Sequence, residues 1–166
     1  MSKKRTKKSP VVLITGASQG IGAAIAKTFA REIKGCRIAL VARTAKKLPT
    51  VQRGCERLGA KAVSFSCDVS DDKAVAKLKR AVKKEFGAID VLVNNAGSFS
   101  GGPLLKFSVE EFDRMIATNL RSVFLMSRAF VPGMVKAKRG DVFNMSSIAG
   151  LVAYPGGSGY SAAKFG

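Results

Sequence analysis

At 166 residues with 46% hydrophobic content, the chain has the size and apolar share of one domain with a single core, which argues against a disordered protein. Its 29 Lys and Arg against 11 Asp and Glu leave a net charge of +18, an attraction for phosphates, acidic carriers or nucleic acid that the sign alone does not divide. Three cysteines (Cys36, Cys55, Cys67) without close pairing and a complete lack of histidine argue against a disulfide framework and a zinc site and fit a reducing cytoplasm; no stretch approaches the roughly 20 apolar residues of a membrane span.

The chain opens on a basic head, residues 1–10 (MSKKRTKKSP), read as a flexible solvated tail, with a localisation or nucleic-acid role as the lesser alternative. Head and following apolar run together mimic a secretory leader, but the run is only about five residues long before Thr, Gly, Ser and Gln interrupt it. Short apolar runs then predict strands at 11–15, 37–42, 62–68, 89–95 and 141–147. Between them, helices are predicted at 20–32, 44–58, 71–85 and 109–135. The helix at 44–58 carries two breakers, Pro49 and Gly54. Gly87 stops the helix at 71–85, and Ser108 with Glu111 forms a capping box for the last one. Strand and helix alternation with near-continuous apolar strands predicts an α/β fold, a doubly wound parallel sheet covered on both faces, in one domain over residues 11–166.

TGASQGIG at 15–22 follows the first strand and opens the first helix. In such a turn Gly16 permits the tight bend, Gly20 lets the backbone approach a pyrophosphate, Gly22 lets helix pack on sheet, and the helix N-terminus favours the anion. The spacing is G-x-x-x-G-x-G, and glycine is common at turns, so the loop alone leaves an ordinary turn open. About twenty residues on, where an acid would hold the ribose of NAD, stand Ala42 and Arg43, with no acid between Ile33 and Cys55. Arg43 can pair with a 2′-phosphate, which favours NADP(H) over NAD(H); one more surface base is the competing reading. Asp68, NNAG (94–97) and Ser146–Ser147 all fall at the carboxyl ends of predicted strands, the edge where open parallel sheets bind ligands. Taken singly, Asp68 serves equally well as a cap for the next helix, and Asn94 and Asn95 as turn residues. In YSAAK, Tyr160 and Lys164 share one helix face, a pairing that in isolation is more often a surface contact.

TGASQGIG, Asp68–Val69, NNAG, Asn119 in IATNLRSVF, NMSSIAG and YSAAK resemble, in order and spacing, the consecutive motifs of the classical short-chain dehydrogenase/reductases, over residues 11–166. The resemblance implies a Rossmann-like sheet with five of the usual seven strands present. It implies that Gly16, Ser18, Gln19, Gly20, Ile21, Gly22 and Arg43 bind the cofactor, that Asp68 and Val69 meet its adenine, and that Asn95, Ala96 and Gly97 meet the adjoining ribose. Tyr160 would be the general acid that protonates a carbonyl oxygen, or the base in reverse, with Lys164 supporting it and holding the nicotinamide ribose, and Tyr160 would contact both cofactor and substrate. Ser147 would hydrogen-bond the same carbonyl, and Asn119 would anchor a water that relays protons to Lys164. Elementary chemistry agrees: a free phenol ionises near pH 10, so a tyrosine works at neutrality only beside cations such as a lysine one turn away. Members that prefer NADP often carry a base inside the glycine loop, where this chain has Gln19, so the NADP reading leans on Arg43.

These observations predict an NADP-dependent oxidoreductase that moves hydride between the nicotinamide and a small carbonyl or alcohol substrate, with 3-oxoacyl groups on an acidic carrier attractive on charge. Family members run well past this length, so the chain is read as a fragment whose full-length parent is a homo-oligomer. The alternative is a truncated nucleotide-binding fragment with little or no turnover, the short helix of Tyr160 and Lys164 being expected to hold that pair poorly. A nucleic-acid binder is the weakest reading, since 7% aromatic content and no recognised motif speak against it.

Overall fold

The computed structural model describes residues 9–166, and the basic head lies almost wholly outside the described residues. In chain order it comprises β1 (Val11–Thr15), α1 (Gly20–Glu32), β2 (Arg37–Ala42), α2 (Leu48–Arg57), β3 (Lys61–Ser66), α3 (Asp72–Phe86), β4 (Val91–Asn94), α4 (Val109–Ile116), α5 (Ser122–Ala137), β5 (Asp141–Asn144) and α6 (Ser158–Phe165). Every strand pairing is parallel and the order is β3-β2-β1-β4-β5, a Rossmann-like α/β sheet.

The period of two along β1 and β2 divides the core into two layers. Val12, Ile14, Ile38 and Leu40 face Ala23, Ala26 and Ala30 of α1 and Leu48, Val51 and Cys55 of α2. Val11, Leu13, Ala39 and Val41 face Val75, Leu78, Val82 and Phe86 of α3 and Leu125 and Phe130 of α5. Because helices cover both faces, these strands read as unbroken apolar runs. The chain steps outward from β1 to β3, then crosses back to β4, and the two halves part at the carboxyl ends of β1 and β4, where a crevice opens.

Four local expectations change. Pro49 sits in the first turn of α2, where a missing N–H costs nothing, so it starts that helix instead of breaking it; residues 45–47 form a separate 3₁₀ turn. The helix expected at 109–135 is interrupted by a π-helical turn, Ala117–Arg121, in which Ser122 N–H reaches back five residues to the Ala117 carbonyl. The capping box is only half made: Ser108 Oγ accepts from Glu111 N–H at 3.2 Å, but the Glu111 carboxylate turns to Ser100 and Arg114. Asp71, not Asp68, caps α3, accepting from the N–H groups of Lys73 and Ala74. The Gly87 stop is present, with its N–H on the Lys83 carbonyl.

β5 is shorter than expected, and all four of its residues are exposed, with Phe143 at 53%. Its register is secured from below, where Asp90 accepts Val11 N–H at 2.9 Å, pairs with Arg139 at 2.9 Å and takes Asp141 N–H on its carbonyl. No helix of the described residues is long and apolar enough to cross a membrane.

Candidate functional site

Thr15 ends the apolar run of β1 with a buried hydroxyl that joins the two halves of the crevice. Its Oγ1 accepts from the N–H groups of Asn95 and Ala96, both at 2.9 Å, and donates to the Val93 carbonyl at 3.3 Å. Asn95 Nδ2 returns a bond to the Thr15 carbonyl at 2.9 Å. Gly16 takes a positive φ of 67°, and a Cβ there would lie 2.9 Å from Ala96 Cα. A Cβ on Gly22 would meet the Gly16 carbonyl oxygen at 2.5 Å, so the glycine loop, the first turn of α1 and the NNAG loop are packed backbone against backbone.

Above this floor lies a cleft of about 550 Å³. Gly16, Ser18, Gln19, Gly20, Ile21, Arg43, Asp68, Val69, Asn95, Ala96 and Gly97 line it, joined by Ala42, Thr44, Cys67, Ser98 and Thr118. Gly22 stands behind the wall as a packing residue. The α1 N-terminus opens here with an extended Gln19, no side-chain cap and no acid in its first turn, which leaves its N–H groups to an anion. On the opposite rim Arg43 is exposed, and Lys47 Nζ donates to Gln19 Oε1 at 2.7 Å, bringing a second cation over the glycine loop. The Ser70 hydroxyl, 2.6 Å from Asp68, is the main cause holding that carboxyl below the usual range; burial opposes it, and Ser70 N–H and the Arg43 charge add to it. The Cys67 thiol is pushed up to about 11 by burial, then by Asp68 and Asp71.

Tyr160 and Lys164 lie on α6, outside the lining of this cleft. The Tyr160 ring meets Phe99 edge-on, with centroids 5.2 Å apart and planes at 86°. Lys164 Nζ stands 5.8 Å from the Tyr160 ring centroid and donates to the Met145 carbonyl at 2.7 Å, while burial lowers the pKa of its ammonium. Contrary to the expectation of a poorly held pair, α6 is anchored: Gly159, Ser161 and Ala163 are buried, and Ser146 Oγ donates to the Lys164 carbonyl at 3.2 Å. Asn119 is buried within the π turn, donating to the Ser98 and Met115 carbonyls, each at 3.0 Å, and accepting Ser98 N–H at 3.2 Å. Its side chain thus ties the π turn to the loop after β4. Ser147 Oγ accepts Ala149 N–H at 3.2 Å, capping a 3₁₀ turn, and no hydrogen bond joins it to Tyr160. The two groups of residues communicate through the loop after β4, where Ser98 lines the cleft and Phe99 touches Tyr160.

A family profile described as short chain dehydrogenase matches residues 10–166. The chain belongs to that family. Over 152 residues this short-chain dehydrogenase is 38% identical to gluconate 5-dehydrogenase of Gluconobacter oxydans, covering 92% of the chain and 59% of the relative. It is 36% identical to a 3-oxoacyl-[acyl-carrier-protein] reductase of Vibrio cholerae, covering 94% and 62%. A metagenomic short-chain oxidoreductase solved in complex with NADP is 44% identical, superposes with a TM-score of 0.89 and is covered to 71%, against 95% of this chain. The chain therefore spans about three-fifths of the length of the curated relatives it matches.

Thr15 and Lys47 lie outside the residues expected from the sequence to form the site. A polar residue ending an otherwise apolar strand was the available signal for the first, and the Lys46–Lys47 pair just past the second strand for the second.

Proposed function

We propose that this short-chain dehydrogenase binds NADP(H) in the cleft and is the dinucleotide-binding and catalytic part of an oxidoreductase acting on a small carbonyl or alcohol. The observation that carries the reading is the cleft itself, whose volume suits a dinucleotide and whose floor is a glycine loop packed directly on the Asn95–Ala96 backbone, where a Cβ at Gly16 would lie 2.9 Å from Ala96 Cα. The uncapped α1 N-terminus suits the pyrophosphate, Arg43 with Lys47 the 2′-phosphate, Asp68 and Val69 the adenine, and Asn95 to Gly97 the adjoining ribose. When bound, the nicotinamide supplies or accepts the hydride. Tyr160 gives its phenolic proton to the carbonyl oxygen or takes it back in reverse, and the Lys164 ammonium favours the phenolate that remains. Asn119 acts as a positioning residue by fixing the Ser98 loop, and Ser147 reaches the carbonyl oxygen once its hydroxyl rotates from the Ala149 N–H.

Separate titrations with NADPH and NADH test the binding. Arg43→Ala is expected to cut the NADPH preference by about tenfold to a hundredfold, the range of a lost charge-assisted hydrogen bond of ~1.5–3 kcal/mol. An unchanged preference would remove Arg43 from the site. Cys67 gives an independent readout: as a protonated, buried thiol it should alkylate slowly in the native chain, and NADPH should slow it further. Peptide mass spectrometry reads this with the core residues Cys36 and Cys55 as internal references, and no protection at Cys67 would argue against nucleotide in the cleft.

Exposed Val109 and Phe112 on α4 and Phe124 and Val135 on α5 support assembly of the full-length protein with copies of itself. The three free, buried cysteines support a cytoplasmic setting. The Ser147 cap and the bare edge of β5 favour a second reading, nucleotide binding with little turnover. Dinucleotide binding without reduction of any carbonyl in a panel would select it; turnover by the 166-residue chain would exclude it.

A further inference from the structure

Next to Tyr160, apart from the dinucleotide cleft, is a second hollow of about 520 Å³. Its walls are Phe99 and Pro103 on one loop and Tyr154 and Pro155 on another, with Gly101, Gly102 and Gly156 between them. We propose that this hollow receives an apolar, ring-sized substituent of the carbonyl substrate and that Phe99 and Tyr154 determine specificity for it. The proposal rests on the oxidoreductase reading above and adds a substrate class to it.

No lining side chain carries a charge, and the Tyr154 phenol is the one hydroxyl among them. The two loops are tied by Gly102 N–H donating to the Gly156 carbonyl at 2.9 Å, which holds the walls apart at a set width and uses up a backbone acceptor. A hydroxylated substituent entering there would give up several bonds to water and find the Tyr154 phenol as its one side-chain partner, whereas an apolar one loses nothing. Phe99 is 64% exposed and Tyr154 40% exposed, so aromatic surface on both walls awaits cover. Position makes the hollow part of the reaction site: the Phe99 ring that forms its wall is the ring packed edge-on to Tyr160 at 5.2 Å. A carbonyl whose oxygen meets the Tyr160 phenol can lay one substituent against Phe99. A volume of this size accommodates a phenyl group on a short linker.

The test uses the 166-residue chain with NADPH, 4-phenyl-2-butanone as apolar probe and erythrulose as hydroxylated probe, reading backbone amide resonances beside turnover. The Gly101, Gly102 and Gly156 amides are expected to shift with phenylbutanone and not with erythrulose. Where reduction is measured, kcat/KM should favour phenylbutanone by at least about tenfold, the discrimination an apolar pocket supplies. Phe99→Ala removes one wall, and Gly102→Leu adds a bulky side chain at the lining, where a new Cβ meets nothing within 4 Å and so is expected to crowd the hollow without a clash. Each is expected to lower the phenylbutanone preference about tenfold, and the pair keeps the test intact if one variant folds badly. NADPH shifts at the Gly16 and Gly20 amides report the cofactor site separately. Their absence overturns the oxidoreductase reading. Their presence with Gly101, Gly102 and Gly156 unmoved by phenylbutanone, or moved as much by erythrulose, overturns the hollow as an apolar subsite.

Discussion

Tyr160→Phe is expected to lower carbonyl reduction by about 10²- to 10⁴-fold while leaving NADPH affinity within a factor of about two, the scale of a lost general acid. Phenylalanine keeps the ring, and with it the edge-on contact to Phe99 and the place of Lys164 over the aromatic face. It removes only the hydroxyl whose proton the proposed mechanism gives to the carbonyl oxygen. The cleft lining does not include Tyr160, so the dinucleotide loses no wall. Loss of reduced-nicotinamide absorbance with a ketone, set beside a binding titration, separates the two effects. Wild-type turnover in the variant would assign the proton to another group, and equal loss of binding would make the ring structural.

Gly16→Ala is expected to cost about 2–5 kcal/mol of stability and to abolish measurable NADPH binding. Two independent penalties add. The positive φ of 67° charges an L side chain roughly 1–2 kcal/mol, and the new methyl must displace Ala96 Cα and Asn95 Nδ2, each 2.9 Å away, for about 1–3 kcal/mol of overpacking. The second penalty reaches function directly, because the displaced segment carries Asn95, Ala96 and Gly97 of the cleft wall. Urea unfolding followed by circular dichroism measures the first outcome and NADPH titration the second. A variant as stable as the parent would mean that the two loops do not pack as closely as the structure has them.

Much of this arrangement is legible without coordinates. The strands β1 and β2 coincide with the predicted runs at 11–15 and 37–42, because a strand buried on both faces must be apolar throughout. The helix α1 starts where the glycine loop ends, and its alanines mark the face that lies on the sheet. The cleft residues were legible for a similar reason: polar clusters at strand ends sit on one edge whenever all strands run parallel. Less legible were features in which a residue has two equally good local uses. Asp68 and Asp71 can each cap α3, and backbone direction assigned the role to Asp71. Ser147 can face a substrate or cap its own turn, and here it caps. Glu111 satisfied the spacing of a capping box, yet Ser100 and Arg114 offered its carboxylate better partners.

By itself the sequence determined the alternation of elements, the glycine loop at the head of α1 and the pairing of Tyr160 with Lys164 on one helix face, since each depends on neighbours within a few residues. Only the tertiary structure decided which distant groups meet. Thr15 bonds Asn95 across 80 residues of chain, Lys47 reaches Gln19 across 28, and Lys164 finds the Met145 carbonyl across 19. The physical reason is that periodicity encodes the backbone state of a segment and the side it buries, whereas the strand order β3-β2-β1-β4-β5 sets which loop ends share an edge. The exposed β5 belongs to the same class: its apolar Val142 and Phe143 promise burial, and whether an element packs over a strand's faces is set by the tertiary arrangement.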